Sequence, residues 1–367
     1  MTRPGETATM FSVGALLLGC SAEFVVPEDR TVAALPGLVA EPADNQGTAA
    51  KVELGRLLFW DPIVSGNRDV ACATCHHPDL AYADGRDLSV GVGGVGLGSN
   101  RAPGARPHHA TRNAMTVLNS AFNGVSLASL TTVPEKAPMF WDNRASSLEE
   151  QALLPIRNLD EMRGEAFKEE EVLPELVRRL EAIPEYVQRF ASAFGSGPIT
   201  EQNLARAIAA FERTLVTRMS SFDRFMAGDD GALSHTAKLG LAAFVSDGCT
   251  RCHSGPMFSD FKLHRLNVPG AEQDLAHDGT PRMRTPSLRN VTRTAPYMRN
   301  GSLKTLAEVL DFYVDKLDTS LDQDFPDRFP QREVEMFQAF FESISDGDFD
   351  RTVPSAVPSG LAPGGAL

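Results

Sequence analysis

Two pentapeptides carry the strongest chemical signal in this chain: CATCH, from Cys72 to His76, and CTRCH, from Cys249 to His253. Each sets two thiols three positions apart and puts an imidazole directly after the second. A zinc ribbon or a redox dithiol uses C-x-x-C, but neither requires the histidine that follows. Attachment of c-type haem does. The thiols add to the two porphyrin vinyl groups, and the adjacent imidazole then lies beneath the iron as proximal ligand. The pairs stand 177 residues apart (249 minus 72), too far for one compact four-cysteine zinc site and suited to one pair in each of two units. The expectation is two covalently bound haems, one on Cys72, Cys75 and His76, the other on Cys249, Cys252 and His253.

The elements that must position these motifs read as helices. Leu54-Gly55 with Phe59 precedes the first motif, and Leu239-Gly240 with Phe244 precedes the second, which suggests a duplicated module. Leu204, Ile208, Phe211 and Leu215 form an apolar stripe at helical spacing behind the N-cap Thr200. Leu306, Leu310, Tyr313 and Leu317 form another, opened by the capping box Thr305-x-x-Glu308. Phe337, Phe340, Phe341 and Ile344 form a third. A shorter helix opens at Ser147 and is expected to stop near Pro155. Convincing alternating strands are absent. The glycine-rich run from Gly91 to Gly98 lacks a strand–helix frame, so it reads as a loop and not as a phosphate cradle.

The composition sets outer bounds. The 367 residues are 42% hydrophobic, enough for packed cores. Lys+Arg 35 against Asp+Glu 48 gives a net charge of −13, which argues against a nucleic-acid binder. The apolar run from Met10 to Cys20 has the size of a signal-peptide core and is too short to span a bilayer. Its end, Leu17-Leu18-Gly19-Cys20, resembles a bacterial lipobox, so Cys20 is the expected lipidation site and the periplasm or cell envelope of a bacterium the expected location. The chain then divides into a signal segment at 1–20, a tether at 21–45, a first haem domain at 46–199, a second at 200–352, and a tail at 353–367 expected to be disordered.

From about Lys51 to about Gly347 the chain resembles the bacterial di-haem cytochrome c peroxidase and MauG family. The matching stretches are LGRLLFWDP, CATCHHP, TRNAMTVLN, FWDNRASSLEEQALLPI, DEM, CTRCHSGP, TPSLRNVTRTAPYM and TLAEVLDFY. The resemblance implies a mainly α protein of two cytochrome c-like haem domains with long loops. It also implies that hydrogen peroxide reacts at the N-terminal haem while the C-terminal haem carries electrons. Glu161 is then the acid–base residue of O–O cleavage and Gln151 orients peroxide, with Pro155 at a further distal position. Trp141 becomes an electron relay between the haems. One calcium ion is implied, held by the side chain of Asn113 and the carbonyls of Thr294 and Pro296.

The same resemblance makes Tyr313 the informative position, because it falls where cytochrome-fed peroxidases place a methionine ligand and MauG-like proteins a tyrosine. A hard phenolate donor should lower the haem potential relative to a thioether. Three departures stand beside it. Arg299 replaces the family's histidine, Asp247 replaces MauG's surface tryptophan, and His108 and His109 either cap the resting first haem or form a solvated loop pair. The resulting reading is a peroxide-reducing enzyme coupled through the His253/Tyr313 haem to oxidation of a protein partner. The alternatives are a detoxifying peroxidase fed by a small cytochrome or cupredoxin, and a non-catalytic di-haem electron carrier.

Overall fold

The computed structural model describes residues 31–217, 219–315 and 334–365. Cys20 and the whole signal segment, and Leu317 of the second stripe, lie outside the described residues. The described chain is mainly helical, with two short two-stranded ribbons.

One helix crossing occurs twice. In the first unit, α1 (Ala49–Trp60) packs on α6 (Glu201–Glu212). Thr48 opens α1 by accepting from Lys51 N, and Thr200 opens α6 by accepting from Asn203 N. At the crossing, a Cβ on Gly55 would lie 1.9 Å from the Ala207 carbonyl oxygen, so only glycine allows this approach. One turn on, Phe59 meets Phe211 edge-on at 5.3 Å. In the second unit, α8 (His235–Ser246) packs on α10 (Val334–Ser343) in the same way. A Cβ on Gly240 would lie 2.0 Å from the Met336 carbonyl oxygen, and Phe244 meets Phe340 at 5.0 Å. The repeated Leu-Gly and Phe signal is therefore the imprint of one duplicated crossing, with partners four residues apart on each facing helix.

The remaining helices close these cores. In the first unit, α3 (Leu148–Arg157), α4 (Glu169–Glu181) and α5 (Pro184–Phe194) enclose a cluster around Leu58, Ile156, Leu176, Tyr186 and Ile208. In the second, α7 (Ser221–Met226) and α9 (Leu306–Asp315) flank a phenylalanine-rich cluster of Phe222, Phe244, Phe258, Phe340 and Phe341. The expected capping box holds: Thr305 Oγ1 accepts from Glu308 N and the Glu308 carboxylate accepts from Thr305 N.

Four expectations need correcting. First, α6, placed beyond a boundary at 199, belongs to the first core, because its stripe of Leu204 and Ile208 packs against α1 and α3. Second, α3 runs two residues past Pro155. In the last turn a proline loses a single N–H bond, and Asn158 N closes the end on the carbonyls of Leu154 and Pro155. Third, the segment read as a free tether is docked where described: Val32 bridges Gly255, Leu35 N donates to Asp223, and Asn45 is buried. Fourth, residues 353–365 of the tail are laid against the first unit. Ser359 Oγ donates to Asp61, Gly364 N donates to the Trp60 carbonyl, Thr74 Oγ1 donates to the Gly364 carbonyl, and Val357 joins the core around Trp60.

Candidate haem centres and the junction between them

Each C-x-x-C-H turn presents its histidine in the same way. His76 N closes a helical turn on the Cys72 carbonyl at 3.0 Å, and His253 N does so on Cys249 at 2.8 Å. On the ring, His76 Nδ1 sits 2.9 Å from the Tyr82 carbonyl oxygen, and His253 Nδ1 sits 2.9 Å from that of Phe258. A carbonyl can only accept, so Nδ1 carries the proton and Nε2 is left as a lone-pair donor. Burial lowers the pKa of both imidazoles, which keeps them neutral. The four cysteines are free thiols, and burial pushes Cys75 and Cys249 up to about 12 and Cys72 higher still. The two thiols of each pair are not joined by a disulfide. Together with an oriented imidazole beside an open cavity, they fit covalent haem.

The first cavity, of about 180 Å³, is lined by Cys72, Cys75 and His76 on one side and by Gln151, Pro155 and Glu161 on another. Gln151 and Pro155 come from α3. Glu161 comes from a π-helical turn, Leu159–Arg163, whose entry is capped by Asn158 Oδ1 accepting from the N–H groups of Asp160 and Glu161. That turn is gripped by two glycines. A Cβ on Gly66 would lie 1.9 Å from the Arg163 carbonyl oxygen, and one on Gly91 would lie 1.9 Å from that of Asp160. The glycine-rich run thus does more than loop: its first glycine lets the chain lie directly on the backbone that carries Glu161. Burial raises the Glu161 pKa, with Asp160 adding to the rise and Arg144 opposing it. The rise makes this carboxylate a stronger proton acceptor than a solvated one, which suits an acid–base role.

His108 and His109 are absent from the lining of this cavity. His108 Nδ1 instead pairs with Asp160 Oδ1 at 3.0 Å, while His109 bridges Val90 through its backbone. One buried acid escaped the sequence reading. Glu212, at the end of α6, lines the cavity, is 3% exposed, and leaves Oε2 without a partner. Burial raises its pKa to about 8. Its place at the foot of an otherwise apolar stripe was the available signal.

The second cavity, of about 350 Å³, is more apolar and brings Cys249, Cys252 and His253 together with Tyr313, Leu310, Phe337 and Phe341. Burial raises the Tyr313 pKa, with the charges of Cys252 and Cys249 adding to it. Beside this cavity stand Cys252, Asp260 and His264, the one cluster among the described residues with metal-ligand spacing. His264 Nε2 lies 2.8 Å from Asp260, which raises the imidazole to about 10 and makes it a cation. Cys252 already belongs to the second haem motif, so this cluster is assigned to the haem attachment and not to a separate metal.

Trp141 lines both cavities. Its Nε1 donates to the Asn113 carbonyl at 2.9 Å and its own carbonyl accepts from Arg284 N at 2.6 Å. Asn113, Thr294 and Pro296 share one wall of the second cavity, with Asn113 Nδ2 spent on the Arg86 carbonyl at 2.8 Å. Arg299 is buried, pairing with Asp274 and donating to the carbonyls of Leu266 and Ala271. Asp247 caps α8 at the second cavity.

The sequence profile of the di-haem cytochrome c peroxidases matches residues 49–231. Over 290 residues the chain is 36% identical to the methylamine utilization protein MauG of Methylophilus methylotrophus, covering 76% of each. Over 293 residues it is 34% identical to the cytochrome c551 peroxidase of Pseudomonas aeruginosa, covering 75% of each. Its fold is similar to the crystal structure of a MauG-like protein associated with microbial copper homeostasis, with a TM-score of 0.68 at 24% identity, over 85% of this chain and 94% of that one.

Proposed function

The chain belongs to the di-haem cytochrome c peroxidase family, oxidoreductases that act on peroxide, and we propose that it reduces hydrogen peroxide at the His76 haem while oxidising a protein partner through the His253 haem. The observation that carries this reading is the convergence of Glu161, Gln151 and His76 on one cavity, with Tyr313 and His253 converging on the other. A pure electron carrier has no use for a carboxyl with a raised pKa in the wall of its first haem cavity.

Covalent haem in these cavities would supply redox-active iron, with His76 and His253 as proximal ligands and Tyr313 as the second haem's other ligand. The protein's own groups do the rest. Gln151 offers an amide donor to the bound oxidant. Glu161 is placed to take a proton from one peroxide oxygen and return it to the other, while the bound haems would supply the two electrons, and solvent the two protons, that complete reduction to two waters. Trp141, in both walls, suits a relay role. Asn113, Thr294 and Pro296 are proposed to hold calcium, a set of one amide and two carbonyls that suits a hard cation. Cys20 is proposed as a lipid anchor in the bacterial periplasm or envelope. Among the described residues no helix is long and apolar enough to cross a membrane.

Tyr313 favours a MauG-like partner oxidation over a cytochrome-fed detoxifying peroxidase, because a phenolate favours the oxidised iron and removes the need for a reducing step before peroxide binds. The visible and near-infrared spectrum of fully oxidised protein, before and after one equivalent of hydrogen peroxide, tests this. Both haems should respond without any prior reduction. A reaction that waits for reduction of the second haem assigns the cytochrome-fed reading instead. Glu161→Gln should lose about 10²- to 10⁴-fold in peroxide turnover with haem content intact. Full turnover in that variant would remove Glu161 from the chemistry.

A further inference from the structure

Among the described residues six arginines are buried, and five of them are satisfied by carboxylates or by a cage of carbonyls. Arg179, Arg213, Arg289 and Arg299 each pair with a carboxylate, from Glu175, Glu149, Asp223 and Asp274 respectively. Arg101 is caged by three backbone carbonyls, those of Val90, Gly91 and Gly96. Arg284 is the exception. It is 4% exposed. Its Nε donates to the Phe140 carbonyl at 2.8 Å and its Nη2 approaches the Met115 thioether at 3.3 Å. No carboxylate among the described residues lies within ion-pair distance of it. Asp142, the acid whose charge reaches it, is held by Arg112 and Arg144 at 2.9 Å each.

A guanidinium has five donors and no means of losing its charge cheaply, so burying one against a carbonyl and a thioether leaves most of its solvation unreplaced. Burial alone pulls its pKa to about 10. Such a group calls for an anion, and its position says from where. Arg284 is in the wall of both cavities, beside Trp141, whose carbonyl accepts from Arg284 N. The groups that would fill those cavities each carry two carboxylates on the edge opposite the vinyl carbons.

We propose that Arg284 is the shared counter-ion of the haem carboxylates, neutralising them at the junction and fixing both haems against the Phe140–Trp141 segment. The inference rests on the two-haem reading. A bidentate fork suits carboxylate better than a point charge does. The role also explains why this buried arginine has neither a carboxylate partner nor the cage of carbonyls that holds Arg101.

The experiment uses the holoprotein. A haem count by pyridine haemochromogen comes first, and a count of less than two rejects the haem reading without touching Arg284. With two haems present, wild type, Arg284→Gln and Arg284→Lys are titrated by spectroelectrochemistry at pH 7. Removing a cation from beside the haem carboxylates disfavours the reduced state, so Arg284→Gln should lower the ferrous/ferric ratio of both haems about tenfold at fixed applied potential. Arg284→Lys keeps the charge and should stay within about threefold of wild type. Equal shifts in the two variants, or none in Arg284→Gln, overturn the proposal, the former by making Arg284 a mere brace for the Phe140 carbonyl. A wild-type ratio that moves with chloride, and stops doing so in Arg284→Gln, also overturns it, since the anion is then a free one. Where Arg284→Gln does not accumulate as two-haem protein, the infrared carboxylate stretches of Arg284→Lys decide. Loss of the bidentate pair shifts them, and unchanged bands reject the pairing.

Discussion

Gly55→Ala is the smallest change that tests the duplicated crossing. The added methyl would sit 1.9 Å from the Ala207 carbonyl oxygen, where real Cβ contacts essentially never fall under 3.0 Å. The obstacle is backbone, so no rotamer change relieves it, and α1 must back away from α6 by roughly 1 Å over one turn. Overpacking of this kind costs about 1–3 kcal/mol, and the upper part of that range applies because the clash is with a helix carbonyl. Alanine returns up to about 1 kcal/mol of helix propensity. The net expectation is a loss of about 2 kcal/mol, or roughly 4–8 °C in midpoint for a unit of this size. Gly240→Ala, 2.0 Å from the Met336 carbonyl, should behave alike in the second unit. The control is Gly37→Ala, which meets nothing within 4 Å and should stay within about 0.5 kcal/mol of wild type. Scanning calorimetry of the holoprotein gives all three midpoints. If Gly55→Ala and Gly240→Ala melt with Gly37→Ala, the two crossings are looser than described and the duplication argument loses its structural basis.

Further expectations concern the site. Gly91→Ala pushes a methyl to 1.9 Å from the Asp160 carbonyl and should cut peroxide turnover at least tenfold at unchanged haem content, because it moves the turn that carries Glu161; wild-type turnover would mean that the turn adapts. Tyr313→Phe should alter the ferric absorption of the second haem alone, and Tyr313→Met should raise its potential; identical spectra would make Tyr313 a core residue. Glu212 has its pKa raised to about 8 by burial. A raised carboxyl binds its proton more tightly folded than unfolded, so its contribution is complete at low pH and is lost as pH rises from its unfolded value through about 8. Against Glu212→Gln, wild type should therefore lose about 1.4 kcal/mol of relative stability per pH unit across that window. Denaturant midpoints of both proteins at pH 5 to 8 measure it, and a pH-independent difference would place an ionised Glu212 in the cavity wall.

What could be read along the chain was whatever a short stretch contains whole. A C-x-x-C-H turn places its own histidine, a capping box closes on itself, and the stripe of Phe337, Phe340 and Phe341 faces one way because of helical periodicity. All of these hold in the fold. The errors arose where a segment's role is set by a distant partner. Residues 353–365 are rich in proline, glycine and alanine, a composition that locally favours no structure. They are ordered because Asp61, Trp60 and Thr74 supply hydrogen-bond partners almost 300 positions away. The domain boundary failed for the same reason: α6 follows a glycine-rich break, yet its stripe is complementary to α1.

The least legible residues are those at the junction, and the cause is physical. Glu212 and Arg284 look like ordinary surface charges in sequence, because a charge on a helix or strand edge usually faces water. Each becomes informative only once the fold removes the water and fails to replace it. Arg101, Arg179 and Arg289 show that this chain can satisfy a buried guanidinium fully with its own groups. Arg284 has no carboxylate partner and Glu212 leaves Oε2 unpaired, and both stand in the walls of the haem cavities. A charge left short of partners in the wall of a cofactor cavity is one that the cofactor can complete. On this argument the junction completes its packing and its charge balance when the haems are attached, and Arg284→Gln should perturb the holoprotein more than it perturbs the chain before haem attachment.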